Sequence, residues 1–433
     1  MDGATRGSRP RRAMRRVGGA AVAALLVAVA VGGCGDGDGS AGEPAAGEVG
    51  PDAAAELLGP ADPARGEPVR IGQVSEGTSA TVEASDELAA GAATVEYLNE
   101  HRGGIGGRPI ELVTCEMKAD PAVTAGCAQQ MIEQDVVAVT VAAAANTEAL
   151  WEPLHAAGVP LVVLSGTGRD LLEDDASTFV MVNPNSAFFG LPIALAEAEG
   201  ADKVAFVIID VPQARDVLEA DDGATMERAG LDDEVVAVPL GTPDLTSQMQ
   251  QVADSGAGVV HILGNDAFCI AAIQGLRAVG YEGAISGVSY CFTDATRTAL
   301  GSDLEGISVL APLADGATDD PTYQLYQAVM AEYGGDVDEA DGYYALSGYA
   351  AVATLAAALE TIEGDVDTET VAATIRAMPE TELPAGGGGT FRCGGSAVPD
   401  LPAVCTNQWL RGELDATGEV ASYTLEDSSE VVG

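Results

Sequence analysis

Basic residues, aromatics and histidines are all scarce in this chain. Twenty lysines and arginines stand against 67 aspartates and glutamates, a formal net charge of −47. A surface of that sign repels phosphate backbones, which excludes nucleic-acid binding. Aromatic residues make up 4% of the chain, and the three histidines, His101, His155 and His261, lie far apart. No C-x-x-C or H-x-x-x-H spacing occurs, so neither a metal site nor a bound cofactor is expected. Catalytic signatures are missing as well. Val163-Leu164-Ser165-Gly166-Thr167 lacks the leading glycine of a nucleophile elbow, and Gly287-Val288-Ser289-Tyr290-Cys291 lacks the trailing one. There is no Walker loop, and Pro109 stands where a dinucleotide fingerprint needs its third glycine. These absences count against an enzyme, a cell-surface hydrolase included.

Long apolar runs are almost absent too. The one candidate, Gly19 to Val31, follows a basic segment containing Arg6, Arg9, Arg11, Arg12, Arg15 and Arg16. It is shorter than the roughly 20 residues that span a bilayer, which points to a signal peptide over residues 1–33. The run ends in Val31-Gly32-Gly33-Cys34, the pattern of a bacterial lipobox, so lipidation is expected at Cys34. Acyl chains added there would hold the protein stably on the outer face of the cytoplasmic membrane. Residues 34–66 are mostly Gly, Ala, Asp, Glu and Pro and read as a disordered tether. No later stretch approaches membrane length.

Six cysteines remain besides Cys34, and they fall in neighbouring pairs: Cys115 and Cys127, Cys269 and Cys291, Cys393 and Cys405. An even count in an exported chain favours disulfides; of the fifteen connectivities open to six cysteines, the local one is expected.

Beyond the tether, short β-branched runs alternate with helical periods. Strands are expected at 69–74, 109–115, 136–141 and 159–164, with helices at 84–101, 121–134 and 147–157 between them. This grammar is that of a doubly wound parallel sheet. The segment 181–192 has no clear period and two prolines, as a crossing between lobes should. The alternation then restarts, with strands at 204–209, 234–238, 258–263, 284–288 and 306–310 and helices at 213–229, 246–255 and 267–279. Helices at 321–333, 341–360 and 368–378 precede a short β-rich tail. The fold class expected is α/β, with two doubly wound parallel-sheet lobes.

In such sheets ligands sit beyond the carboxyl ends of strands, on loops leading to helix starts. In the first lobe those loops carry Ser79, Asn146, Thr147, Ser165 and Thr167; in the second they carry Gln213, Asn265, Asp266, Ser289 and Tyr290. All ten are candidate ligand contacts. Each has a plainer role open to it: a hydroxyl or amide before a helix is also a cap, contributing about 1 kcal/mol. Trp151 lies within a helix, where packing is the expected role.

The stretch from Tyr97 to Leu112, Tyr-Leu-Asn-Glu-His-Arg-Gly-Gly-Ile-Gly-Gly-Arg-Pro-Ile-Glu-Leu, ends a helix, turns on glycines and opens a strand at Pro109. It resembles the signature of the leucine/isoleucine/valine-binding family of periplasmic binding proteins, class I. The strand Gly158-Val159-Pro160-Leu161-Val162 and the order of elements from Val69 to about Phe391 match that family as well. The resemblance implies the ligand-capture subunit of an ABC importer: a monomer on a lipid anchor, with a membrane permease as partner and a small polar metabolite (an amino acid, amide or small carboxylate) as ligand. A receptor-docking sensor is the alternative. It implies lobes of 69–184 with 313–378 and 185–312 with 379–425, joined by three crossings and closing as a hinge. Position by position, Ser165 and Thr167 fall on the family's carboxylate and amino contacts. Ala143-Ala144-Ala145-Asn146-Thr147 replaces its consecutive serines, and Ser289 stands near its ammonium-pairing acid.

Overall fold

The computed structural model describes residues 51–428 apart from 79–83, 144–145, 212–214, 216–217, 219–222, 338–341 and 399. The expected signal peptide and Cys34 lie outside the described residues, as do Ser79, Gln213 and the side chain of Tyr290. No helix of the described residues is long and apolar enough to cross a membrane.

The tether expected over residues 34–66 does not extend through its second half. Pro51–Leu58 forms a helix, α1, which buries Ala54 and Leu58 in the core. The chain after it is pinned by Asp62 N–H to Glu100 O and Ala64 N–H to Asn99 O. Two apolar side chains at helical spacing suffice to dock a segment whose composition otherwise reads as solvated.

Five parallel strands build the first sheet: β1 (Val69–Ser75), β2 (Ile110–Glu116), β3 (Val139–Ala143), β4 (Leu161–Ser165) and β5 (Thr178–Val182), in the order β2-β1-β3-β4-β5. Helices cover both faces, which explains the near-continuous burial of β3, β4 and β5. On one face pack α2 (Ser85–His101) and, from later in the chain, α11 (Pro321–Tyr333), α12 (Tyr343–Ala358) and α13 (Thr368–Ala377). On the other lie α3 (Pro121–Glu133) and α4 (Thr147–Ala157). Their starts are written locally: Asp120 accepts from Ala122 and Val123 N–H ahead of Pro121, and Asp320 does the same for Thr322 and Tyr323 ahead of Pro321. The approach of α2 to α12 requires a glycine, because a Cβ on Gly348 would lie 2.1 Å from Glu87 O.

β5 was hidden in the sequence reading, which gave this sheet four strands. It is followed by a π-helical turn (Ser186–Gly190) and by α6 (Leu191–Glu199), where no regular structure was expected. The short turn α5 (Arg169–Leu172) separates β4 from β5.

The second sheet takes β6 (Lys203–Asp210), β7 (Asp232–Pro239), β8 (Val259–Leu263), β9 (Ala284–Gly287) and β10 (Ser308–Ala311), all parallel. An antiparallel pair, β13 (Gln408–Leu414) and β14 (Val420–Asp427), extends it, giving β14-β13-β10-β9-β8-β6-β7. Its helices include α7 (Ala224–Arg228), α8 (Thr246–Asp254), α9 (Asp266–Ala278) and α10 (Asp294–Leu300). A separate core unites this sheet with α6 and α9 and receives Trp409 and Leu414 from the tail.

The tail divides later than the boundary of 378/379 expected from the resemblance. Leu383, Phe391, Cys393 and Cys405 are buried in the first half's core, and β11 (Thr381–Glu382) pairs with β12 (Thr390–Phe391) there. Val404 bridges Val180, with Cys405 N–H donating to Val180 O. The third crossing therefore falls at Thr406–Asn407, once the apolar residues of 383–405 have been buried against β5. All three locally paired disulfides are formed, Cys115–Cys127, Cys269–Cys291 and Cys393–Cys405.

Candidate functional site

Two of the three crossings leave from the carboxyl ends of strands. β5 ends at Val182 and β10 at Ala311, and the third crossing enters β13 at Gln408, beyond the Ala311–Leu410 pair. Val182, Ala311, Pro312, Thr406 and Gln408 line one small hollow where these segments meet. Because strands within each parallel set share a direction, the carboxyl edges of both sheets lie on the side of the crossings.

On the first edge, Ala143, Ser165 and Val182 are in register across β3, β4 and β5. Asn146 and Thr147 follow β3, and Ser165 and Thr167 follow β4, so the structure brings these four candidates onto neighbouring loops. For Asn146, Ser165 and Thr167 the plainer role of a helix cap is not seen among the described residues. α5 is preceded by Gly168 and α4 by Asn146, and neither helix has a side-chain cap bond. Thr167 is exposed and Ser165 half-buried, and no hydrogen bond to either hydroxyl occurs among the described residues. Thr147 is buried, 4% exposed, in the first turn of α4.

The second edge is different. Asn265 caps α9, accepting from Phe268 N–H at 3.1 Å, and Asp266 accepts from Ala267 N–H at 2.7 Å. Ser289 is exposed at the start of a 3-10 turn, Ser289–Cys291. The Cys269–Cys291 bridge ties the first turn of α9, after β8, to the 3-10 turn after β9. Asp210, at the end of β6, is paired with Arg215 at 2.5 Å, which with its hydrogen bond holds the carboxyl below its ordinary range.

A polar cluster that the sequence reading passed over lies at the end of β1. Glu87, in the first turn of α2 and 6% exposed, accepts from Ser347 Oγ at 3.0 Å on one oxygen and from Ser75 Oγ on the other. Burial pushes its carboxyl up to about 7; the two hydroxyls work against that shift and nearby Glu76 adds to it. Gln73, one pleat below Ser75, donates to Glu87 O at 3.0 Å and Gly348 O at 3.3 Å. At the start of α12, ahead of Ser347, Tyr343 and Tyr344 are 44% and 37% exposed, with ring centroids 5.8 Å apart. Burial raises the Tyr344 hydroxyl above its ordinary range, and the charges of Glu87 and Glu76 add to the shift. The available signals were the serine closing an apolar strand and a tyrosine pair in a chain poor in aromatics.

Two other polar clusters lie elsewhere. Trp151 stacks on His155 at 4.8 Å and donates to Thr178 Oγ1 at 2.9 Å, at the amino end of β5. Burial works to raise Asp174 beside them, but bonds from Thr178, Ala176 N–H and Ser177, with His155, hold it down at about 2. His261 is fully buried in β8 with Nδ1 2.8 Å from Ser286 Oγ, and burial lowers it to about 3. Among the described residues no group of three or more His, Cys, Asp or Glu side chains is arranged to hold a metal ion.

A family model described as periplasmic binding protein matches residues 68–407. In sequence the chain is similar to the Leu/Ile/Val-binding protein homolog 6 of Brucella suis biovar 1 (strain 1330), 28% identical over 176 residues, 39% of this chain. The match spans 45% of that relative, less than half its length. In structure the chain is similar to a branched-chain amino acid transporter substrate-binding protein of Streptococcus pneumoniae solved with isoleucine. The TM-score is 0.62 at 17% identity, over 83% of this chain and 100% of that one. It is also similar to an ABC transporter solute-binding protein of R. palustris solved with 4-hydroxybenzoate, with a TM-score of 0.60 at 21% identity over 81% of this chain and 93% of that one. At such identities the likeness to the solved structures is one of fold.

Proposed function

From the chain's membership of the periplasmic binding protein family, we propose that it captures one small polar solute between its two α/β halves and delivers it to an ABC permease. The halves are residues 69–184 with 313–405, and 185–311 with 408–427. They close about the crossings as a hinge, and solute stabilises the closed state by touching both edges. The solute class is an amino acid, amide or small carboxylate. Export and lipidation at Cys34 place the chain outside the cytoplasmic membrane, on an anchor. No bond-making step is assigned to it.

The observation that carries this reading is the pair of hydroxyls at the end of β4. Ser165 and Thr167 stand where helix caps are expected, yet cap nothing, and they lie on the carboxyl edge from which the first crossing leaves. With Asn146 and the start of α4 they offer donors to an acceptor-rich group. Asn265, Asp266 and Ser289 serve from the other side. Titration calorimetry against amino acids, amides, urea and small carboxylates tests this. One solute per chain is expected, bound about ten-fold more weakly after Thr167→Val, the loss of a single net hydrogen bond. Absence of binding across the panel, with turnover of an ester or amide, overturns it.

A further inference from the structure

His261 carries an unmatched polar atom on a fully buried side chain. It lies on β8, 0% exposed, and its Nε2 has no hydrogen-bond partner. The other ring nitrogen, Nδ1, stands 2.8 Å from Ser286 Oγ on β9. That hydroxyl has no other partner among the described residues, so it donates to Nδ1 and the ring proton sits on Nε2. Burial keeps the ring neutral. The result is a buried N–H donor left open, which costs free energy until an acceptor reaches it.

The acceptor it faces belongs to the first crossing. Ala187, in the π-helical turn, is the backbone group that acts on the ring, and it stands short of hydrogen-bond geometry. Phe189 of the same turn meets Phe206 edge-on at 6.2 Å, and Phe206 meets His261 edge-on at 5.9 Å. Ala187 O has no regular donor of its own. Leu191 N–H, its partner in an α-helix, donates to Ser186 O instead, and Pro192, its partner in a π-helix, has no N–H. A donor on the second sheet and an acceptor on the crossing thus face each other unbonded. Turns of this π-helical kind are frequent at functional sites.

We propose that His261 is a positioning residue for solute capture: closing of the halves seats the first crossing so that His261 Nε2–H donates to Ala187 O. This rests on the solute-capture reading and adds to it a residue that does not touch solute. The crossing is one of the segments about which the halves move, so the bond is made in one position of the hinge and open in the other. Made on closure, it favours the closed state, and apparent affinity rises with the population of that state.

The test uses the full chain with spin labels on Asp170→Cys and Asp244→Cys, first with no solute added. His261→Leu is expected to deplete the short-distance, closed population about five-fold, the loss of one net hydrogen bond. His261→Gln keeps a side-chain N–H and is expected to keep most of that population. Pro192→Ala leaves the buried ring untouched but gives Ala187 O a donor within its own turn, and is expected to deplete the population as well. Leucine, glutamine, acetamide, urea and butyrate are then titrated. Whichever binds is expected to bind about five-fold more weakly to His261→Leu and Pro192→Ala, and at close to parent affinity to His261→Gln. With three histidines in the chain, isotopically labelled histidine resolves the His261 ring by magnetic resonance, and its Nε2–H proton is expected to move downfield on binding. Distances and affinities that stay the same in His261→Leu and Pro192→Ala overturn the inference and leave solute capture standing, even where melting temperature falls. If all five probes fail to bind at millimolar concentration, the capture reading falls, and the distances without solute still decide whether His261 sets the hinge.

Discussion

Asn183 Nδ2 donates to Asn407 Oδ1 at 2.9 Å, joining the first crossing to the third. Both side chains are buried, and Asn407 also donates to Ala397 O at 2.5 Å. One turn on, Ser186 Oγ meets Ser428 Oγ at 3.1 Å, and Trp409 Nε1 donates to the same Ser428 oxygen at 2.8 Å. The segments that connect the halves are thus stitched to each other as well as to their own sheets. Asn183→Ala leaves a buried amide oxygen unsatisfied and is expected to cost about 1–3 kcal/mol. Urea denaturation of the variant checks this, with the midpoint lowered and the slope unchanged.

Glu87 gives a second prediction, independent of any solute. Its carboxyl is raised from the ordinary 4.5 to about 7, so the folded protein holds the proton more tightly than the unfolded chain does. The stability this confers is complete below pH 4.5 and is lost as pH rises through 7. The loss is at most about 3 kcal/mol by pH 8.5. Melting temperature measured from pH 5 to pH 8.5 is expected to fall across that window, and Glu87→Gln is expected to flatten the fall.

The two edges differ in what a single substitution does. Asn265→Ala removes the cap of α9 and is expected to destabilise by about 1 kcal/mol, read in thermal melts. Thr167→Val removes no cap and is expected to leave the melt within about 0.5 kcal/mol while weakening solute. A stability loss of cap size in Thr167→Val would show that its hydroxyl serves the fold.

The Cys269–Cys291 bridge closes a separation of 22 residues beside the second edge. Replacing both cysteines by alanine is expected to cost about 3 kcal/mol through the freedom restored to the unfolded chain. Reductant is expected to lower the melting temperature of the parent protein by a larger amount, since all three bridges then open.

Much of the fold could be read before the structure was known. α4 and α11 occupy the ranges their periodicity and proline signals indicate, and most strands shift by only one or two residues at an end. What escaped had physical reasons. β5 is five residues long and merges into an aperiodic crossing, so its apolar run carried no boundary. α1 is docked by two side chains in a polar segment. The tail's allegiance is decided by where Phe391, Cys393 and Cys405 find a core, which no local pattern encodes. The rims were legible as loops after strands, but Glu87 was not. Its significance comes from Ser347, distant in sequence, and from a burial that spacing does not reveal.

The central claim is that the two carboxyl edges close on solute. Spin labels on Asp170→Cys in the first half and Asp244→Cys in the second, both exposed, measure it directly as a distance by pulsed electron resonance. With solute at saturation the account predicts that the separation shortens by several ångströms, roughly the scale of hinge closure. A distance distribution that stays the same while solute is demonstrably bound would contradict it.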